Sequence, residues 1–133
     1  MKLGTLLFRV TGIVVFIQLL LGGLLTFDFI GAVSHIITGL IVFILALATM
    51  IVVLVSKPAL RPLRGMSIGL VALIVIQIIL GFETLQTGSS ILAWIHFVVA
   101  MGIYGITIAG TFMAMRWDQM AKNPMVNQQP QRG

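Results

Sequence analysis

The chain has 133 residues, 59% of them hydrophobic and 8% charged, where a soluble domain carries about 25% charged residues. Eight basic and three acidic residues cannot build a water-facing surface, which excludes a soluble enzyme, a disordered chain and a nucleic-acid binder. There is no cysteine, so disulfides, thiolate metal sites, iron–sulfur ligation and covalent c-type haem attachment are excluded as well.

Residues 1–9 form a short polar-ended start, in which Lys2 and Arg9 precede the first apolar run. That start resembles a signal peptide, but Arg9 interrupts the run and no small-residue cleavage site follows, so an uncleaved first span is expected. Four charge-free runs then follow: Val10–Phe27, Val33–Val55, Met66–Phe82 and Ser90–Met115. The shortest would cover roughly 25 Å as a helix, close to a hydrocarbon core of about 30 Å. Helices satisfy their backbone polar groups internally, as lipid requires. The joins Asp28–Ala32 and Glu83–Ser89 are short, so each pair is expected to be an antiparallel hairpin. The middle join, Ser56–Gly65, carries the helix breakers Pro58 and Pro62. The predicted fold is an all-α, up-down four-helix transmembrane bundle over residues 10–115, with residues 116–133 as a flexible tail rich in Asn, Gln and Pro.

Charge placement gives an orientation. Lys2, Arg9, Lys57, Arg61, Arg64, Arg116, Lys122 and Arg132 all fall on one face of that topology, and the opposite joins hold only Asp28 and Glu83. The positive-inside rule then places both termini and the middle join in the cytoplasm of a cell bounded by this membrane. The formal net charge of +5 is thus a topology signal and no sign of a nucleic-acid partner.

The halves 10–55 and 66–115 look like a duplication. Ile17-Gln18-Leu19-Leu20-Leu21-Gly22 is matched by Ile76-Gln77-Ile78-Ile79-Leu80-Gly81. Each is followed by a short join and a helix bearing one histidine, His35 or His96, and four residues later a small residue, Gly39 or Ala100. Gln and His are 17 residues apart in the first half and 19 in the second. Matching Ile and Leu carries little information in such a chain; matching Gln, Gly and His in order carries more.

His35 and His96 are the only two histidines. They lie roughly 6 Å and 9 Å into their spans, at similar depth. Helices two and four are diagonal in an up-down bundle, so the two imidazoles can approach one centre from opposite sides. That pattern suits axial ligation of a haem iron, non-covalent and so haem b, with haem A or haem O as alternatives. Gly39, Ala100, Gly22, Gly23 and Gly81 would leave room for a flat macrocycle. Ala46 and Thr107 continue the two histidine faces, and Thr26, Thr87 or Ser89 could meet propionates. The competing reading makes each histidine an interhelical hydrogen-bonding group. A zinc or copper site would need more ligands than two. Gln18 and Gln77 are expected to bond across helices at a pseudo-symmetric contact, or else to line the cofactor or quinone pocket. Glu83, at the rim, is the one carboxylate placed to exchange protons near a haem edge. Proton-coupled export would need an acidic group inside the membrane, and the spans carry none.

The repeated Gln-x-x-x-Gly span, short join and histidine-bearing span resemble the haem A synthase family, and Leu85-Gln86-Thr87-Gly88-Ser89 looks like that family's loop between paired helices. The chain would match one four-helix unit of the family over residues 10–115. The resemblance implies haem ligation by His35 and His96. Where the family's oxygenating site has a glutamate one turn before the first histidine, this chain has Ala32, and Ala93 stands before His96. The expectation is therefore a small b-type cytochrome, passing electrons or handling haem as an accessory subunit of a respiratory or photosynthetic complex or as a homo-oligomer. Membrane lipid would surround it, and a quinone or redox protein would exchange electrons with it. A minimal haem A synthase oxidising haem O, and a haem-free assembly subunit, are the alternatives.

Overall fold

A computed structural model describes residues 3–56 and 61–122 of the chain. Four helices fill it: α1 (Leu3–Thr26), α2 (Ala32–Val55), α3 (Arg61–Thr87) and α4 (Ser90–Lys122). Each is long and apolar enough to cross a membrane, and the protein is a multi-pass membrane protein with a four-helix bundle. Sequential helices pack as antiparallel neighbours, α1 closes the ring against α4, and the diagonal pairs α1–α3 and α2–α4 touch little.

The helices outrun the apolar spans. α1 begins at Leu3, so most of the expected polar start is helical, with Gly4, Thr5 and Phe8 buried. α3 begins at Arg61 with Pro62 in its first turn, where the missing N–H costs nothing because first-turn amides have no partner within the helix. α4 runs to Lys122, so the tail expected to be flexible is helical through 122, and its remainder, 123–133, lies outside the described residues. Asp118 anchors that extension: it is buried, and Thr5 Oγ1 donates to its Oδ2 at 2.9 Å across the α1–α4 seam. Replacing Thr5 with the isosteric Val should cost about 1–3 kcal/mol, the usual worth of a hydrogen bond to a charged group. Thermal unfolding in detergent, compared with an exposed control such as Thr38→Val, measures it.

Both hairpins close by specific helix endings. After α1, Asp28 takes φ 58°, a left-handed conformation that Asp tolerates better than most side chains. Phe29 N then donates to Leu24 O and Asp28 N to Leu25 O, the paired bonds of a Schellman ending. After α3, Gly88 at φ 62° supplies the left-handed residue, and its N–H donates to Thr84 O, the single-bond ending. Ser89 then caps α4, its Oγ accepting from Leu92 N at 3.4 Å. The second join therefore shrinks to Gly88–Ser89, with Glu83 to Thr87 helical. At the other end, the Arg64 guanidinium donates to Leu54 O in the last turn of α2, which suits the negative pole of that helix.

Burial repeats with the sequence. Gly4, Phe8, Thr11 and Val15 are buried on α1, and Leu63, Ser67, Leu70 and Ile74, each 59 residues later, are buried on α3. Val42, Ala46, Thr49 and Val53 are buried on α2, and Ile103, Thr107, Gly110 and Ala114, each 61 residues later, on α4. Large and small residues alternate across the pairs: Phe8 answers Ser67, Leu63 answers Gly4, Thr49 answers Gly110. Two units carrying the same positions with complementary volumes can interdigitate, as close packing requires. Lipid offers no hydrophobic drive between helices, so small residues and polar contacts carry the association. Thr11 and Thr49 meet at 3.1 Å between α1 and α2. The faces turned away are apolar and exposed, Ile13, Ile44, Ile68 and Phe112 among them, as lipid contact demands.

All of these close-packed positions lie in the half of the bundle that holds the chain ends. Over residues 18–26 of α1, 32–41 of α2, 77–87 of α3 and 90–102 of α4, no residue is buried. The hairpin half of the bundle is therefore the loosely packed one, and both histidines stand in it.

Candidate functional site

His35 sits in the first turns of α2 and His96 in the first turns of α4, on the diagonal helices. Their rings are 6.1 Å apart between centroids and inclined by 60°. Two otherwise separated helices thus bring their only histidines into contact, although their sequence separation is large and the diagonal helices touch little elsewhere.

Each ring is held by the preceding helix of its own half. Gly22 on α1 faces His35: a Cβ there would stand 3.1 Å from His35 Cε1. Gly81 on α3 faces His96 in the same way, at 3.0 Å from Cε1. One turn earlier, Gln18 Nε2 donates to the backbone oxygen of His35 at 2.9 Å, and Gln77 Nε2 to that of His96 at 2.6 Å. The Gln-x-x-x-Gly spacing puts an amide and a bare patch of backbone on one helical face. The amide holds the histidine's carbonyl and the glycine admits its ring. The expected contact between the two helices of each pair is thus present, and its partner is the histidine itself.

Gly39 has a different role from the slot expected for it. A Cβ on Gly39 would lie 3.0 Å from Gln18 Nε2, so Gly39 makes room for the glutamine. Gln18 Nε2 also reaches His35 Nε2 at 3.2 Å. In the second half, Ala100 stands at the matching position, and the amide of Gln77 bonds only the backbone. Gly23 faces open space.

The two histidines are the side chains that could hold a flat cofactor between the diagonal helices. Their centroid separation of 6.1 Å is that of an ordinary edge-to-face ring contact, and the Cε1–Nδ1 edge of each ring faces the glycine of the preceding helix, Gly22 or Gly81. Nδ1 of both histidines is buried and has no hydrogen-bond partner, an arrangement that calls for an explanation in a native protein. Among the described residues no three His, Asp or Glu side chains gather to hold an ion. An ion that takes its ligands from protein alone has only this pair, whereas haem iron brings four equatorial nitrogens of its own.

The remaining expected site residues separate. Glu83 is exposed on α3, and no hydrogen bond joins its carboxylate to either histidine among the described residues. Thr26 Oγ1 donates to Gly22 O and Thr87 Oγ1 to Glu83 O, so neither hydroxyl keeps a proton for a propionate; Ser89 Oγ accepts from the backbone and keeps its own. Ala46 and Thr107 are fully buried, further along α2 and α4 than the histidines and beyond the buried Val42 and Ile103. Two surface grooves, of about 330 and 390 Å³, lie elsewhere: one on the α1–α4 seam along Arg9, Gly12 and Phe112, the other along the end of α4. Of the candidate site residues only Thr107 lines one of them, the groove on the α1–α4 seam. Sequence reading missed the Thr5–Asp118 and Thr11–Thr49 bonds, for which only the heptad-like spacing of polar residues on otherwise apolar helices gave a signal.

The chain matches no family model, no curated protein and no solved structure.

Proposed function

We propose that this protein is a small b-type cytochrome, in which His35 and His96 are the axial ligands of one non-covalent haem. The observation that carries this reading is the histidine pair itself: two rings 6.1 Å apart on diagonal helices, each with an unpartnered buried nitrogen. The loose packing of the hairpin half, against the close packing of the other, supports it. When bound, haem would supply a one-electron couple near one membrane surface. The residues of the chain do the rest. Gln18 and Gln77 fix the backbone on which each histidine rides. Gly22 and Gly81 set how far each ring reaches toward the centre. The buried residues nearest the histidines along α2 and α4, Val42 and Ile103, begin the close-packed half of the bundle.

The haem A synthase resemblance fits this reading at the level of the bundle and the two histidines. Ala32 and Ala93 leave the site without a carboxylate to take part in oxygenation, and Glu83 is turned to the outside, so electron transfer or haem handling is favoured over haem A synthesis. The basic residues of the described range, Arg9, Arg61, Arg64, Arg116 and Lys122, belong to the half of the bundle holding the chain ends, while Asp28 and Glu83 belong to the hairpin half. The positive-inside rule accordingly puts the termini in the cytoplasm of a cell membrane and the haem near its outer face. The protein would act as a subunit of a larger redox complex or as a homo-oligomer, with a quinone or redox protein as its exchange partner.

A reduced-minus-oxidised spectrum of the full chain, purified from cells with ample haem, tests the reading. A low-spin b-type spectrum at one haem per chain is expected, and the double variant His35→Ala/His96→Ala should lose it while remaining helical. A wild-type protein free of haem overturns the proposal.

A further inference from the structure

The seam between α1 and α4 closes the ring of helices, and no join ties those two helices directly together. A groove of about 330 Å³ runs along this seam. Arg9, Gly12 and Phe16 of α1 line one side of it, and Tyr104, Ile108 and Phe112 of α4 line the other. Arg9 to Phe16 is a run of about two turns, so the groove is roughly 10 Å long. The rings of Phe16 and Tyr104 meet across the seam at 5.6 Å between centroids and close its inner end. Thr107 and Thr111 also line the groove, but their hydroxyls donate to Tyr104 O and Thr107 O within α4. Arg9 is the one charged side chain among the residues that line it.

Arg9 does not stand at the end of its helix. α1 begins at Leu3, about 9 Å further out, and Leu3 and Leu6 on that stretch are apolar and exposed. The guanidinium therefore leaves the helix at a level where its neighbours face hydrocarbon, and Arg9 is itself exposed. A long basic side chain at that depth reaches back toward the headgroups, where the anion it meets is a lipid phosphate. A guanidinium takes a phosphate through two parallel N–H bonds. Arg9 is already engaged within the protein, but its five N–H groups exceed what one partner takes up. One leaflet supplies half of a hydrocarbon core of about 30 Å, so a groove of roughly 10 Å takes most of one acyl chain. A zwitterionic headgroup carries its own cation, which competes with the guanidinium; a net-negative headgroup carries none.

We propose that this groove binds one anionic phospholipid from the leaflet on the side of the chain ends, with its phosphate on Arg9 and one acyl chain along the α1–α4 seam. Arg9 supplies the preference for a negative headgroup, and the apolar walls hold the chain. The lipid bridges the two helices that no join connects, so its binding stabilises the closed bundle. The site is independent of the haem reading and stands or falls without it.

Native mass spectrometry and thermal unfolding of the full chain in a neutral detergent test the proposal. Phosphatidylglycerol is the probe, and phosphatidylcholine with the same acyl chains is the control. One phosphatidylglycerol per chain should bind about tenfold more tightly than phosphatidylcholine, the usual worth of a hydrogen bond to a charged group, and should raise the unfolding midpoint further. Arg9→Gln should bring the two lipids to equal affinity. Arg9→Lys, which keeps the charge and loses the paired bonds, should keep part of the preference. Ile108→Trp adds bulk at an exposed position in the groove and should weaken both lipids. Arg116→Gln, whose side chain lies outside this groove, should leave the preference intact. Circular dichroism checks that each variant stays helical. Equal binding of the two lipids by the wild type overturns the proposal, as does an unchanged preference in Arg9→Gln, full binding by Ile108→Trp, or an equal loss in Arg116→Gln. Inorganic phosphate that raises the midpoint as far as phosphatidylglycerol does overturns it too, because Arg9 would then serve a dissolved anion.

Discussion

Gly81→Val and Gly22→Val should each abolish the low-spin haem spectrum while leaving the helical content unchanged. A single added Cβ would stand 3.0 Å from His96 Cε1 or 3.1 Å from His35 Cε1, closer than ordinary van der Waals contact. Alanine can be absorbed by a shift of the ring of a few tenths of an ångström. The two further methyls of valine cannot, because the ring's other side faces the opposite histidine 6.1 Å away between centroids. The imidazole must therefore turn from its present direction, and under the haem proposal its bond to iron would be lost. Both glycines lie in the half of the bundle where no described residue is buried, so helix packing loses little. The measurement is haem per chain from the absorption spectrum, read beside far-ultraviolet circular dichroism. A variant at either position that keeps full low-spin haem would show that the rings do not need that space.

The largest effect on stability should come from Gly110. A Cβ there would stand 2.5 Å from Phe8 Cε1 and 2.7 Å from Cδ1, and Phe8 is fully buried. A phenyl ring fixed between α1 and α4 has nowhere to move, so Gly110→Val overpacks the seam. Overpacking costs about 1–3 kcal/mol when the neighbours can give, and this site sits at or beyond the upper end. Thermal unfolding in detergent is the measurement. Phe8→Leu, which shortens the opposing side chain, should recover part of the loss in the double variant, because residues in direct contact do not add. If the losses simply add, Phe8 and Gly110 are not the contact that matters. The same reasoning separates the two halves of the molecule: substitutions near the chain ends should move stability, and those near the hairpins should move cofactor binding.

That division was only partly readable from the chain. Four apolar runs with eight basic residues outside them determine a four-helix membrane protein, because each backbone polar group must be satisfied within a helix and each charge kept from lipid. The repeat of Gln, Gly and His was equally legible, since polar residues are so scarce here that their order stands out. Helix ends were not. Pro62 starts α3 and the tail through Lys122 is helical, because a first-turn proline and a buried Asp118 bonded to Thr5 depend on what lies across the bundle. Periodicity alone contains none of that.

The sequence by itself determined the membrane, the helix number, the duplication and the pair of histidines, all properties of local composition and order. Only the tertiary structure decided how the pair is held. It put His35 and His96 in contact across the diagonal, turned Gln18 and Gln77 onto the histidine backbones, and set Gly39 against the amide of Gln18. These contacts, 2.6 Å and 2.9 Å for the glutamine bonds and 6.1 Å between the rings, join residues far apart in the chain. They are set by how two complementary units close on each other, and no local pattern encodes them.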